Sequence, residues 1–210
     1  CSTFKKYKFQ SKENIMSLKN SYVTSDYMEW DSMLSLVHKL YRDKEYRLSL
    51  LMGCGSFFGL RISDLLTLTW SMLLDSNSFV LIEKKTGKRR EIMINTNFQE
   101  HIRDCYKALN LIDKNEKCFI SRKKTIYSTQ RINTLFKLVK SKYGLKIEHF
   151  STHSMRKTFG RKIVEASGEN SEFALIKLSE LFNHSDVATT RRYLGLRTEE
   201  LLETYKLLNF

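Results

Sequence analysis

The chain has 210 residues, 41% of them hydrophobic and 12% aromatic, which is enough for one domain with a substantial core and too apolar for a disordered polymer. No apolar run is long enough to cross a bilayer, so a soluble, globular chain is expected, with no membrane partner. Thirty-six Lys and Arg against 23 Asp and Glu leave a formal net charge of +13, the balance of a protein that meets a polyanion.

Residues 1 to 22 are polar, rich in Lys, Ser and Asn and without periodicity, and read as a linker or the tail of an upstream domain. Position 1 is Cys rather than Met, so a fragment of a longer protein is expected. The folded unit is placed at 23–210. Its first helix carries Met33, Leu34, Val37, Leu40 and Tyr41 at helical spacing, with Thr24 or Ser25 as the expected cap. A second helix is predicted from Lys44 to Phe58, where the apolar run Leu48 to Leu60 reads as buried. Gly59 then permits a tight exit, and Ser63-Asp64 starts a short third helix through Leu68. From Trp70 to Ile94 the pattern turns to short β-type runs, Trp70–Leu74, Phe79–Ile82 and Glu91–Ile94, with the basic turn Lys85-Thr86-Gly87-Lys88 between the last two. Helices are predicted over Asn97–Leu109, Thr129–Lys142, Thr152–Ala166, Ser171–Phe182 and Thr198–Leu208, with a short turn near Ala188–Tyr193. The fold class is therefore mainly α with a small antiparallel β-sheet.

Cys1, Cys54, Cys105 and Cys118 are widely spaced and form no C-x-x-C pair, which suits a reducing, intracellular setting. Cys54 reads as a small core residue and Cys118 as the start of a strand with Phe119-Ile120. His149 and His153 are four apart, but no third ligand accompanies them, so no metal is expected. Gly53-Cys54-Gly55 with Gly59 lacks the spacing of a dinucleotide loop and reads as close packing. The basic clusters Lys84–Arg90 and Arg122–Lys124 are solvated faces suited to phosphates.

The informative residues fall in a fixed order. Arg61 lies in Gly59-Leu60-Arg61-Ile62-Ser63-Asp64-Leu65. His153 and Arg156 lie in Thr152-His153-Ser154-Met155-Arg156-Lys157-Thr158. His184 lies in Leu181-Phe182-Asn183-His184-Ser185-Asp186, which runs on to Arg191-Arg192-Tyr193. Cleaving a phosphodiester with an oxygen nucleophile needs positive charge on the non-bridging oxygens, an in-line nucleophile and a proton for the departing 5′ oxygen. Arg61 and Arg156 suit the first need through their planar, permanently charged forks. His153, three residues before Arg156 on a helix, shares its face. Tyr193 is the candidate nucleophile, and its phenol, with an ordinary pKa of ~10, needs neighbouring cations to favour the phenolate. A phosphotyrosyl ester conserves the bond energy, so no ATP and no P-loop are needed. Each residue alone has an ordinary reading: an ion-paired Arg, a hydrogen-bonded His, a packed Tyr. The order of the set carries the argument. Tyr205 has a weaker claim, since Leu201, Leu202 and Leu208 make it part of an amphipathic helix.

This ordered set resembles the tyrosine recombinase (phage integrase) family over residues 24 to 210. The resemblance implies that family's catalytic-domain fold and site-specific DNA strand transfer through a covalent 3′-phosphotyrosyl intermediate, without cofactor or metal. It assigns Arg61 and Arg156 as the phosphate clamp, His153 as acid/base, His184 as a hydrogen-bonding partner of the phosphate, and Tyr193 as nucleophile. Asp64 matches an acidic position that helps hold the site. The catalytic lysine lies on the β-hairpin in this family; Lys85 matches best by its place before Thr86-Gly87, with Lys84 and Lys88 as close competitors. The resemblance further implies double-stranded DNA as partner, a tetramer of protomers on it, and accessory DNA-bending proteins. It also implies a bacterial mobile-element role in the cytoplasm at the nucleoid, an upstream DNA-binding domain of which 1–22 is a remnant, and a C-terminal helix that docks either on a neighbouring protomer or on its own domain. Two other readings share the fold: a basic DNA-binding module that does no chemistry, and a type IB topoisomerase-like nicking-closing enzyme.

Overall fold

The computed structural model describes residues 25–196 together with 202, 203, 205 and 206. The described chain runs α1 (Trp30–Arg42), α2 (Tyr46–Phe58), α3 (Ile62–Leu65), α4 (Trp70–Leu74), β1 (Ser78–Ile82), β2 (Arg89–Met93), α5 (Thr96–Ala108), α6 (Thr129–Tyr143), α7 (Thr152–Ala166), α8 (Ser171–Phe182) and α9 (Val187–Leu194). The mainly helical fold with one antiparallel pair is the expected class. In that pair Phe79 faces Ile92 and Ile82 faces Arg89. Among the described residues no helix is long and apolar enough to cross a membrane.

Helix α2 is the axis of the domain. Its apolar residues are buried on nearly every side, and α1, α5 and α7 pack around it. Two of its glycines make room for neighbours: a Cβ at Gly53 would lie 2.3 Å from the Phe98 ring, and one at Gly55 would lie 2.4 Å from the Met155 sulfur. Gly59 ends the helix in the left-handed region at φ +58°, which turns the chain so that Arg61 becomes the residue before α3. Helix α1 contributes the stripe Met33, Leu36, Val37 and Leu40.

A second, smaller apolar cluster of Leu175, Leu178, Phe182 and Leu194 joins α8 and α9 to α7, with Phe159 and Tyr193 packed against it. Helix α7 thus serves both clusters. Met155 faces the main core, while Phe159 and Gly160 face the smaller one.

Several local expectations are corrected. Trp70–Leu74 is a helix, not a strand: Thr69 Oγ1 accepts from the Met72 amide, and Trp70 and Leu73, three apart, are the buried pair. Helix α1 begins at Trp30 without a side-chain cap. Ser25 instead bonds Ser151 through their hydroxyls at 2.5 Å, and Thr24 lies outside the described residues. Helix α3 starts at Ile62, one residue before the expected start. Cys118 to Ile120 forms no ladder, only the isolated bridges Thr69 to Lys117 and Ile120 to Ile126 on either side. The turn expected near Ala188–Tyr193 is the full two-turn helix α9. The expected helix over Thr198–Leu208 falls mostly outside the described residues, as does the segment 1–22.

Candidate active site

Two arginines from distant parts of the chain meet at one main-chain oxygen. Arg61 Nη2 donates to the Phe182 carbonyl at 2.8 Å, and Arg156 Nη2 donates to the same oxygen at 3.1 Å. Arg156 also donates through Nη1 to the Gly59 carbonyl at 2.7 Å, and its guanidinium stacks 4.1 Å over the Phe182 ring. Burial, with Arg61 and Arg90 nearby and Tyr193 opposing, draws the Arg156 pKa down to about 10, so it remains a cation at neutral pH. Neighbouring guanidinium groups repel, by roughly 4 kcal/mol at ~4 Å and an effective dielectric of about 20. Something must offset this.

Glu83 does so, although its sequence context does not single it out. It is buried just after β1, where strand alternation puts Phe79, Leu81 and Glu83 on the inner side. Its Oε2 accepts from Arg61 Nη1 at 2.8 Å and from the Thr86 hydroxyl at 2.9 Å, while Oε1 lies 3.5 Å from Arg90 Nη1. Burial alone would raise the Glu83 pKa, but the Thr86 hydrogen bond and the two arginines outweigh it and hold the carboxyl below its ordinary value. Asp64, 1% exposed, accepts from the Lys84 amide at 2.9 Å and so holds the start of the hairpin turn.

Helix α7 supplies the next residues. Ser151 caps it, accepting from the His153 amide while Ser154 closes the reciprocal bond, which fixes the first turn where His153 sits. His153 is exposed to solvent on one side. Partial burial on its protein side, then the charges of Arg156, Lys157 and Arg61, lower its pKa. Lys157, buried, extends its ammonium to 5.3 Å over the Tyr193 ring.

His184 lies in the turn between α8 and α9, and Tyr193 in α9. Asn183 ends α8 in the left-handed region and the His184 amide returns to the Ser179 carbonyl, so the chain reverses directly beside the arginines. His184 Nδ1 is 2.9 Å from the Thr190 hydroxyl, and its ring stands edge-on to Tyr193 at 5.2 Å. Burial, then Arg156, Arg61 and Lys85, lower the His184 pKa against an opposing Asp186. The Tyr193 hydroxyl is buried and no hydrogen bond of ordinary geometry holds it. Burial pushes its pKa up to about 12, while Arg156 and Arg61 pull the other way.

The structure therefore brings Arg61, His153, Arg156, His184 and Tyr193 to one place. The three lysines of the turn sit at its edge and are exposed. Lys85 is near enough for its charge to act on His184, Lys84 is tied by its amide to Asp64, and Lys88 Nζ reaches the Asn183 side chain. Among the described residues no group of His, Cys, Asp and Glu could hold a metal ion. The chemistry on offer is a set of fixed cations around a buried phenol, with neutral imidazoles beside it: a site for a dianionic or anionic oxygen centre and an oxygen nucleophile.

Residues 26–200 match the phage integrase family. The "Probable integrase/recombinase YoeC" of Bacillus subtilis (strain 168) is 29% identical over 147 residues, 70% of this chain and 76% of that protein. Tyrosine recombinase XerC of Xanthomonas campestris pv. campestris (strain B100) is 27% identical over 147 residues, 70% of this chain and 44% of that protein. The chain thus spans less than half of that relative. Among solved structures, XerA recombinase aligns with a TM-score of 0.65 at 20% identity, covering 90% of this chain and 68% of that one. XerH site-specific recombinase, bound to palindromic difH substrate in a post-cleavage complex, aligns with a TM-score of 0.62 at 19% identity, covering 93% and 59%. At these identities the structural likeness is one of fold.

Proposed function

We propose, from the premise that this chain belongs to the phage integrase family, that it is the catalytic domain of a site-specific tyrosine recombinase and that Tyr193 is its nucleophile. The observation that carries this is the convergence of Arg61 and Arg156 on one oxygen beside the buried Tyr193 hydroxyl. A scissile phosphate exchanging for the Phe182 carbonyl would meet two guanidinium forks already aimed at one point.

In the cleavage step the Tyr193 oxygen attacks phosphorus and its proton passes to His153 as the proposed acceptor. The bond from phosphorus to the 5′ oxygen breaks, and that oxygen takes a proton from Lys85. The product is a 3′-phosphotyrosyl ester and a free 5′ hydroxyl. Attack by a 5′ hydroxyl of a second strand reverses each transfer and rejoins DNA without an external energy source. Arg61 and Arg156 neutralise the charge that gathers on the non-bridging oxygens, and His184 hydrogen-bonds one of them.

Double-stranded DNA is the proposed substrate, in keeping with the charge of +13 and with XerH and λ integrase relatives solved on DNA. The wider reading is a mobile-element integrase acting in the bacterial cytoplasm at the nucleoid. Four protomers would assemble on DNA with DNA-bending helpers, and residues 1–22 would be a linker to, or a remnant of, an upstream DNA-binding domain.

The test is incubation of the protein, and of Tyr193→Phe, with nicked suicide DNA. A denaturant-resistant protein–DNA adduct from wild type alone is the expected result. Binding without any adduct would favour the non-catalytic module, and relaxation of supercoiled plasmid lacking a defined site would favour the topoisomerase-like activity.

A further inference from the structure

We propose that Glu83 is a positioning residue for strand cleavage, aiming the Arg61 fork at the phosphate and fixing the hairpin turn that carries Lys85 relative to that fork; this rests on the recombinase reading above. One carboxylate touches both parts. Oε2 takes Arg61 Nη1 at 2.8 Å and the Thr86 hydroxyl at 2.9 Å, so the clamp and the turn share a single acceptor atom. The other oxygen faces Arg90 Nη1 at 3.5 Å, and Arg90 Nη2 is itself held by the Phe58 carbonyl at 2.9 Å, just before the bend that delivers Arg61.

Main-chain bonds hold Glu83 on both sides as well. Its amide donates to the Lys88 carbonyl at 2.9 Å and its carbonyl accepts from the Gly87 amide at 2.8 Å, closing the turn over residues 84–87. The next amide, of Lys84, is held by Asp64 at 2.9 Å. The turn is thus suspended between two buried carboxylates, and it carries Lys85 close enough for its charge to act on His184. Glu83 takes Arg61 Nη1 while Nη2 meets the Phe182 carbonyl, so the carboxylate keeps the plane of the fork fixed when a phosphate takes that carbonyl's place. Glutamine at position 83 keeps the shape and one acceptor oxygen but loses the charge that holds the two arginines together.

A merely structural carboxylate would change stability and leave the chemical step alone, so the readout is the single-turnover rate of adduct formation on nicked DNA at saturating protein, beside the DNA dissociation constant. Glu83→Gln is expected to slow adduct formation on the order of 10- to 100-fold while the dissociation constant stays within about threefold. In an Arg61→Lys background the same change is expected to add little, because the fork it aims is already gone. A folded Glu83→Gln with the wild-type rate, or losses that multiply independently with Arg61→Lys, would overturn the proposal. Should Glu83→Gln lose its cooperative melting, Thr86→Val removes, at a partly exposed site, the hydroxyl that donates to Glu83 and accepts from the Lys88 amide at 3.3 Å, and leaves the carboxylate in place. It is expected to slow the step several-fold, and a wild-type rate would overturn the proposal equally. Wild type that binds DNA and forms no adduct would instead sink the recombinase reading, and this inference with it.

Discussion

The Thr190 hydroxyl and His184 Nδ1 are 2.9 Å apart, whereas the same hydroxyl lies 3.5 Å from the Asp186 carbonyl. The Thr190 hydroxyl is expected to give its proton along the shorter contact, to His184 Nδ1, rather than to that carbonyl. Neutral His184, the form its lowered pKa favours, then keeps its proton on Nε2 and presents a donor.

Replacing Thr190 by Val is therefore expected to blur that tautomer and slow adduct formation by about tenfold, less than the ~10²-fold or more that losing an acid–base group outright costs, with Thr190→Ser restoring most of the rate. Imidazole nitrogen shifts report the tautomer directly. A protonated Nδ1 in the wild type would count against the assignment.

The phenol of Tyr193 should be unusually hard to ionise in the DNA-free chain, with a pKa pushed up to about 12 by burial. Ultraviolet difference titration of wild type against Tyr193→Phe isolates that one group among ten tyrosines. A Tyr193 transition near the ordinary value of ~10 would show that the hydroxyl is not desolvated as described.

Stability should fall on acidification before ordinary carboxylates titrate. His101, His153 and His184 all have pKa values lowered in the folded chain, burial being the leading cause in each case. Unfolded histidine takes its proton near pH ~6.5. Above that pH neither state is protonated; as pH falls through the folded values, the unfolded state holds more protons and stability is lost. His101 is the cleanest probe, because it sits on α5 away from the arginines, against Ser49, His38, Tyr41 and Asp104. His101→Gln is expected to flatten the drop in melting temperature between about pH 7.5 and 5.5. An unchanged pH slope would exclude His101 as a contributor.

Alanine in place of a helical glycine ordinarily stabilises by up to ~1 kcal/mol. Gly160→Ala should do the opposite, because its Cβ would fall 2.6 Å from Leu194 Cδ2 and 3.2 Å from the Phe182 ring. A cost of about 1–3 kcal/mol is expected from the overpacking, together with a slower adduct, since α9 carries Tyr193 and would be pushed off α7. Chemical denaturation measures the first effect and the suicide-DNA assay the second. Stabilisation would mean that α9 is free to move away.

The residues that meet at the site were legible in the sequence because their local contexts are distinctive: a glycine exit before Arg61, an i,i+3 pair in α7, and the run from His184 to Tyr193. The long helices were legible through their 3.6-residue periodicity. Trp70–Leu74 was not, because five residues rich in large apolar side chains satisfy a strand as well as one helical turn, and only the Thr69 cap and the Trp70/Leu73 spacing decide it. Glu83 was missed for a different reason. Its neighbours are lysines, which suggests a solvated charge, and its real partners, Arg61 and Arg90, come together only when β1 and β2 pair and pack over the end of α2. The strand alternation Phe79, Leu81, Glu83 was the available signal.

The acceptor shared by Arg61 and Arg156 is a peptide oxygen, and this has a consequence for how the site tolerates genetic change. No codon substitution at position 182 deletes that atom; a new side chain would alter only the ring beneath Arg156. What can displace the oxygen is a change in the path of the chain, and the left-handed turn at Asn183, at φ +52°, sets that path. Mutational fragility at this corner should accordingly reside in the turn residue, while the position that supplies the oxygen stays open to drift among large apolar side chains.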